Sequence, residues 1–242
     1  MVRFPVGKSY RFKRMKVAAI IFSRMASSRL PGKALRHIAG EPLIKRVINR
    51  VSKVKKLSTV VVATSNSKND DRLVEYIQSL NIEVFRGAAH DVLYRAVSCA
   101  SYLGVDKFIR INGDSPLIDP ELLEKGIEIW REPNLDLISN VFPRTYPVGT
   151  SVEIIKTDSL KKILSLTVDS CDREHVTRFF YRNPEKFRIL NFESGRSELR
   201  KVRLAVDTEE DLQRIDWLFK EFGGLINFEM AAEKSLLWSR VE

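Results

Sequence analysis

Cysteine is scarce in this chain of 242 residues. Cys99 and Cys171 form no C-x-x-C pair and join no metal-ligand cluster, which points to a reduced, cytoplasmic protein rather than a disulfide scaffold. Long apolar runs are also missing. None approaches the ~20 residues of a membrane span, and the stretch Val17–Phe22, although preceded by basic residues, is too short for a signal peptide and is interrupted by Arg24. The eleven glycines make no G-x-G-x-x-G, so a dinucleotide fingerprint is absent. A P-loop is absent too: Gly7-Lys8-Ser9 has valine where the first glycine belongs, and Gly32-Lys33 has serine at 27 and alanine after the lysine. There is no internal repeat and no low-complexity tract.

The composition that remains is that of a globular protein, 44% hydrophobic and 30% charged. Net charge is +10, but six basic residues and no acid fall within residues 1–16. That concentration argues against a nucleic-acid-binding body and marks residues 1–15 as a basic extension ahead of a single domain over 16–242.

Apolar runs of strand length alternate with helical spacings. Val17–Phe22, Thr59–Ala63, Ile82–Phe85, Lys107–Ile111 and Leu135–Val141 read as strands; Glu41–Val54, Asp70–Leu80, Asp91–Leu103 and 119–130 read as helices. Strict alternation predicts an α/β fold, a three-layer, doubly wound and mainly parallel sheet. Beyond Phe142 the order changes: Ser151–Ile155, Phe187–Phe192 and Val202–Val206 read as strands, and Asp158–Leu166, Asp172–Arg182 and Thr208–Phe219 as helices. The segment from about 143 to 200 is expected to be an inserted lobe serving substrate binding, dimerisation or both.

Chemistry concentrates at three strand ends, where open α/β sheets bind ligands. After Val17–Phe22 come Arg24, Arg29 and Lys33, two adjacent serines including Ser28, and Pro31-Gly32. Three fixed cations there suit a polyanion, and a nucleoside triphosphate is the obvious one. After Lys107–Ile111 comes Asn112-Gly113-Asp114-Ser115-Pro116, and after Val202–Val206 comes Asp207. Two carboxylates at the ends of strands in one sheet can share Mg²⁺, which favours one or two carboxylates with phosphate oxygens and water. That is the minimum apparatus for phosphoryl or nucleotidyl transfer. His37, His90 and both cysteines read as structural, and Trp217 and Trp238 as core or interface.

The stretch Arg24-Met25-Ala26-Ser27-Ser28-Arg29-Leu30-Pro31-Gly32-Lys33 resembles the R-x-[GA]-S-x-R-L-P-G-K signature of the cytidylyltransferases that activate acidic sugars. Ile38–Ile44, Val61–Thr64, Asn112–Pro116 and Val206-Asp207-Thr208-Glu209-Glu210-Asp211-Leu212 resemble that family's later motifs in the right order, over roughly residues 16–220. The resemblance implies CTP and an acidic sugar as substrates, Mg²⁺ on Asp114 and Asp207, and no covalent intermediate. It implies nucleotide contacts from Arg24, Ser28, Arg29, Lys33, Arg95 and Asn112, with Arg24, Lys33 and Asp114 catalytic. Arg144, Tyr146, Glu153, Arg173 and His175 resemble the spore-coat F-type branch, implying acceptor binding there, and a homodimer is the expected assembly. Asn112 stands where the branch acting on Kdo has glutamine, and the S-G-T-[DE]-R stretch of that branch is missing after His90. Both departures count against Kdo as the acceptor.

Two other readings use the same residues. One is a nucleotidyl- or glycosyltransferase taking another nucleotide or a sugar phosphate, although Asp106, Asp114 and Asp119 never make the D-x-D of many glycosyltransferases. The other is a non-enzymatic binding protein acting through the basic extension.

Overall fold

The computed structural model of the chain describes residues 17–130 and 134–238, so the basic extension expected over 1–15 lies outside the described residues. Strand β1 (Val17–Phe22) is followed by a small hairpin of β2 (His37–Ile38) and β3 (Glu41–Pro42). Then come α1 (Leu43–Val51), β4 (Thr59–Ser65), α2 (Asp71–Ser79), β5 (Glu83–Gly87), α3 (Val92–Tyr102), β6 (Lys107–Asn112) and α4 (Pro120–Ile129). The second half runs β7 (Leu137–Ser139), β8 (Glu153–Lys156), α5 (Thr157–Leu166), α6 (Ser170–Glu174), α7 (Arg178–Arg182), β9 (Ile189–Asn191), α8 (Glu209–Phe222) and α9 (Phe228–Ser235).

Among the described residues the main sheet has the order β5-β4-β1-β6-β8-β7-β9. Strands β5, β4, β1 and β6 are parallel, β8 runs antiparallel between β6 and β7, and β9 is parallel to β7. Both faces of β1 are covered, as its unbroken apolar run requires. Ala19 and Ile21 face a cluster built with α1, α2, α4 and α8, and Ala18 and Ile20 face one built with α3, α5 and Phe180. In α1 the spacing Ile44, Val47, Ile48, Val51 puts all four side chains into the core, each contributing roughly 1.5–3 kcal/mol. The expected three-layer, mainly parallel architecture is what the chain forms. Segment 143–200 supplies β8 and β9 to the sheet as well as α5, α6 and α7.

Two expected elements come out differently. Asp172–Arg182 is not one helix but α6 and α7, separated at His175–Thr177. The break turns Val176 and Phe180 into the core while Glu174 and His175 remain at the surface of a cleft. Val202–Val206 is not a strand of the main sheet. It is extended, but it bridges loops: Val148 N–H donates to Val202 O at 2.9 Å, Leu204 N–H to Val148 O at 2.6 Å, and Val206 N–H to Asp114 O at 2.9 Å. Its apolar character comes from burial of Leu204 and Val206 in the core. Periodicity cannot separate that from ladder pairing. Gly149, at φ +102°, permits the approach, because a Cβ there would lie 2.6 Å from Ala205 N.

Candidate active site

The loop after β1 is tied down before it presents its cations. Gly32 adopts φ +70°, its N–H donates to Met25 O at 2.9 Å, and Lys33 N–H donates to Leu30 O at 3.2 Å. Met25 N–H in turn donates to Asp70 Oδ1 at 2.7 Å. Asp70 is 1% exposed, and its Oδ2 accepts from Thr64 Oγ1 at 2.9 Å, from Ser65 N–H at 3.1 Å and from the Ser65 hydroxyl. Burial alone would raise the pKa of this carboxyl; the hydrogen bonds from Ser65, Met25 and Thr64 outweigh it and hold it below the usual value. A buried acid thus anchors a cationic loop.

Pinned in this way, the loop sends Lys33 inward. Its Nζ donates to Asp114 Oδ2, Asp207 Oδ1 and Val206 O, each at 2.9 Å, which uses all three ammonium protons. Asp114 is brought there by Gly113: a Cβ at that position would lie 2.6 Å from Ser23 Cβ and 2.9 Å from Phe22 O, so only glycine lets β6 end this close to β1. Asp207 precedes α8, where Thr208 and Asp211 form a capping box. Arg29 reaches Asp207 Oδ2 at 3.1 Å and Arg203 reaches it at 3.0 Å. Burial would raise the Asp207 pKa, but Lys33, Arg29 and Arg203 together lower it below the ordinary value. The two carboxylates therefore face one point. As hard oxygen donors they suit a divalent ion whose remaining positions would be filled by phosphate and water. No group of three or more His, Cys, Asp or Glu side chains that could hold a metal occurs among the described residues.

Around this point opens a cleft of about 680 Å³, bordered by Arg24, Ser28, Arg29, Lys33, Arg95, Arg110, Asp114 and His175 among others. Arg24 crosses it, donating to Glu174 Oε1 at 2.8 Å and to Ala89 O at 3.4 Å. Arg95 is 2% exposed, donates to Ala88 O at 2.6 Å and has no carboxylate partner among the described residues. Its pKa is lowered, first by burial and then by the neighbouring Arg24 charge. Ser28 and His175 are exposed on the rim. Asn112 closes β6, its carbonyl accepting from Ser115 N–H at 3.3 Å.

The remaining expected site residues fall elsewhere. Tyr146 belongs to the core, against Phe192 and Phe228, with its hydroxyl donating to Glu193 O at 3.2 Å. Arg173 spends its guanidinium inside the fold, on Thr167 O, Leu164 O and Asp91 Oδ2, pinning α6 to the end of α5 and the start of α3. Neither side chain borders the cleft, and the polar atoms of both are engaged by neighbours. Arg144 donates to Pro147 O at 3.3 Å and Ser151 Oγ at 3.1 Å and does not border the cleft. Glu153 is 2% exposed and lies behind the cleft wall on Arg110.

Three residues of the site escaped the sequence reading. Asp70 resembles an ordinary helix-start acid, and Glu174 an ordinary helical one. Arg110 did leave a signal, as a cation set between Ile109 and Ile111 within the strand Lys107–Asn112.

Residues 18–238 match the family model described as Cytidylyltransferase. The chain is 31% identical over 210 residues to the spore coat polysaccharide biosynthesis protein SpsF of Bacillus subtilis, covering 84% of this chain and 86% of that one. It is 33% identical over 174 residues to the 3-deoxy-manno-octulosonate cytidylyltransferase of Geobacter metallireducens, covering 70% of this chain and 62% of that one. Among solved structures, a cytidylyltransferase from Leptospira borgpetersenii superposes with a TM-score of 0.87 at 28% identity, covering 94% of this chain and 95% of the other.

Proposed function

The chain belongs to the cytidylyltransferase family, and from that premise we propose that it transfers CMP from CTP to a hydroxyl of an acidic sugar, with Mg²⁺, releasing pyrophosphate. One observation carries the reading: Lys33 Nζ, Asp114 and Asp207 meet at one point beside a cleft whose lining includes Arg24, Arg29, Arg95 and Arg110. The acidic acceptor is supported by the relative that acts on 3-deoxy-manno-octulosonate, and the polysaccharide context by the spore coat relative.

The chemistry follows from charge. Arg24, Arg29 and Lys33 bind the triphosphate, and Arg95 stands deeper as a further cation for the nucleotide. Binding opens the Arg24–Glu174 pair and draws Lys33 and Arg29 from the carboxylates toward phosphate oxygens. Asp114 and Asp207 would hold the divalent ion, which supplies neutralisation of phosphate charge. The acceptor hydroxyl forms a bond to the α-phosphorus while the bond to the bridging oxygen of the β-phosphate breaks. The hydroxyl proton passes to solvent water, and pyrophosphate departs with its negative charge met by Arg24, Arg29 and Lys33. Ser28 borders the cleft for the nucleotide and His175 stands on its rim for the acceptor, while Asn112, assigned to the nucleotide, ends β6 one residue before the cleft-lining Gly113.

The test is pyrophosphate release from each of four nucleoside triphosphates with Kdo, 8-amino-Kdo, sialic, legionaminic and pseudaminic acids. Release is expected with CTP and at least one acid, dependent on Mg²⁺. Asp114→Asn should lower it by about a hundredfold or more. Near-normal release by that variant would remove the assigned role of Asp114.

A further inference from the structure

The face of the sheet that carries α3 and α5 changes character at one rung. Ala18, Phe108, Ile155 and Leu137 lie side by side across β1, β6, β8 and β7, all fully buried and all apolar. Two residues further along the strands, the same face carries Ile20, Arg110, Glu153 and Ser139. A charged pair in place of packed apolar side chains incurs a desolvation cost that its own attraction need not recover. Such a pair needs a reason beyond stability.

The network around it saturates the acid and leaves the base open. Glu153 Oε2 accepts from Arg110 Nη1 and Oε1 accepts from the Tyr181 hydroxyl at 2.6 Å. Tyr181 also lies 2.9 Å from Ser139 Oγ. Burial would raise the Glu153 carboxyl, yet Arg110 and the hydroxyls of Tyr181 and Thr177 hold it below the usual range, so it stays an anion facing Arg110. Arg110, by contrast, has an acceptor on Nη1 alone among the described residues; Nε is buried without one, and the side chain borders the cleft. It also stands on the β8 side of β1, whereas Ala88, His90 and Arg95 follow or face β5 on the other side. The triphosphate cations Arg24, Arg29 and Lys33 all come from the loop after β1 and make no call on Arg110.

We propose that Arg110 is the receptor for the carboxylate of the acceptor sugar, with Glu153 and Tyr181 as positioning residues that aim its guanidinium. The proposal rests on the nucleotidyl-transfer reading and deepens it by naming the group that selects an acid over a neutral sugar. A planar guanidinium matches a carboxylate in shape and charge. A site built to donate to that anion rejects an uncharged analogue, which leaves its donors unpaired.

The experiment uses the acid that turns over in the screen above and its carboxamide. Two variants are compared with the wild type: Arg110→Lys, and Arg110→Met combined with Glu153→Gln, which leaves no buried charge alone. Calorimetric CTP binding and thermal melting verify folding. The expected result is a KM for the acid raised about tenfold or more, a KM for CTP within about twofold, and loss of the preference for acid over carboxamide. An unchanged KM for the acid, or an equal rise in the KM for CTP with acid preference intact, overturns the proposal. If the wild type binds CTP but turns over none of the acids, the acceptor reading and this proposal fall together, and that is seen before any variant is made.

Discussion

The ammonium of Lys33 lies 2.9 Å from Asp207 Oδ1 and equally far from Asp114 Oδ2. One lysine therefore bridges both carboxylates of the site before any nucleotide arrives, and a divalent ion must compete with it for oxygens of the same two groups. On the proposed reading, the phosphates of bound CTP would take Lys33 and release the carboxylates. Lys33→Met should accordingly bind Mn²⁺ without nucleotide at least about tenfold more tightly than the wild type, while losing pyrophosphate release. Electron paramagnetic resonance of free Mn²⁺ measures this directly. Equal nucleotide-free affinity in the two proteins would show that Lys33 does not guard the carboxylates.

Asp70 gives a pH dependence of known sign. Its folded pKa is depressed below the unfolded value of about 3.9. The native state therefore resists protonation, and its stabilisation is complete above the unfolded pKa and lost as pH falls through the folded one. Asp70→Asn should cost about 1–3 kcal/mol at pH 7, and the gap to wild type should narrow at pH 3. Urea denaturation at both values tests it. Because Met25 N–H loses its carboxylate partner, the variant should also bind CTP more weakly.

Gly113→Ala places a Cβ 2.6 Å from Ser23 Cβ and 2.8 Å from Ser23 Oγ. Overpacking of this kind typically costs about 1–3 kcal/mol, and here it would also push Asp114 away from Lys33. Adding Ser23→Gly removes the two nearest atoms but leaves Phe22 O at 2.9 Å. The double variant should recover part of the melting temperature and only part of the activity. Full activity in Gly113→Ala alone would mean that the close approach of β6 to β1 does not position Asp114.

The two cysteines should separate cleanly in a thiol titration. Cys171 is exposed, whereas Cys99 is buried and desolvation pushes its thiol up to about 12. Native protein near pH 8 should react with an aromatic disulfide reagent at one thiol quickly, and at the second only after denaturation. Two fast thiols would place Cys99 outside the core cluster of α3.

Much of the architecture was legible in advance because it depends on local rules. Apolar periods marked β1, β4, β6 and the helices between them, and Thr208 marked the start of α8 through its capping chemistry. The apolar run Val202–Val206 misled because burial without ladder pairing leaves the same one-dimensional trace as a strand. The helix expected over Asp172–Arg182 failed where Asp172, 2% exposed, gathers Arg178 and Arg182 and the chain turns at His175.

The sequence by itself determined the chemical parts: a cationic loop after an apolar strand, a carboxylate behind a glycine, and another ahead of a helix cap. These follow from residue type and near neighbours. Only the tertiary structure decided that Lys33 meets partners 81 and 174 residues away, that Arg110 faces Glu153 across a strand pair, and that Tyr146 and Arg173 belong to the scaffold. Such meetings depend on strand order and register in the folded sheet, and no local spacing encodes them.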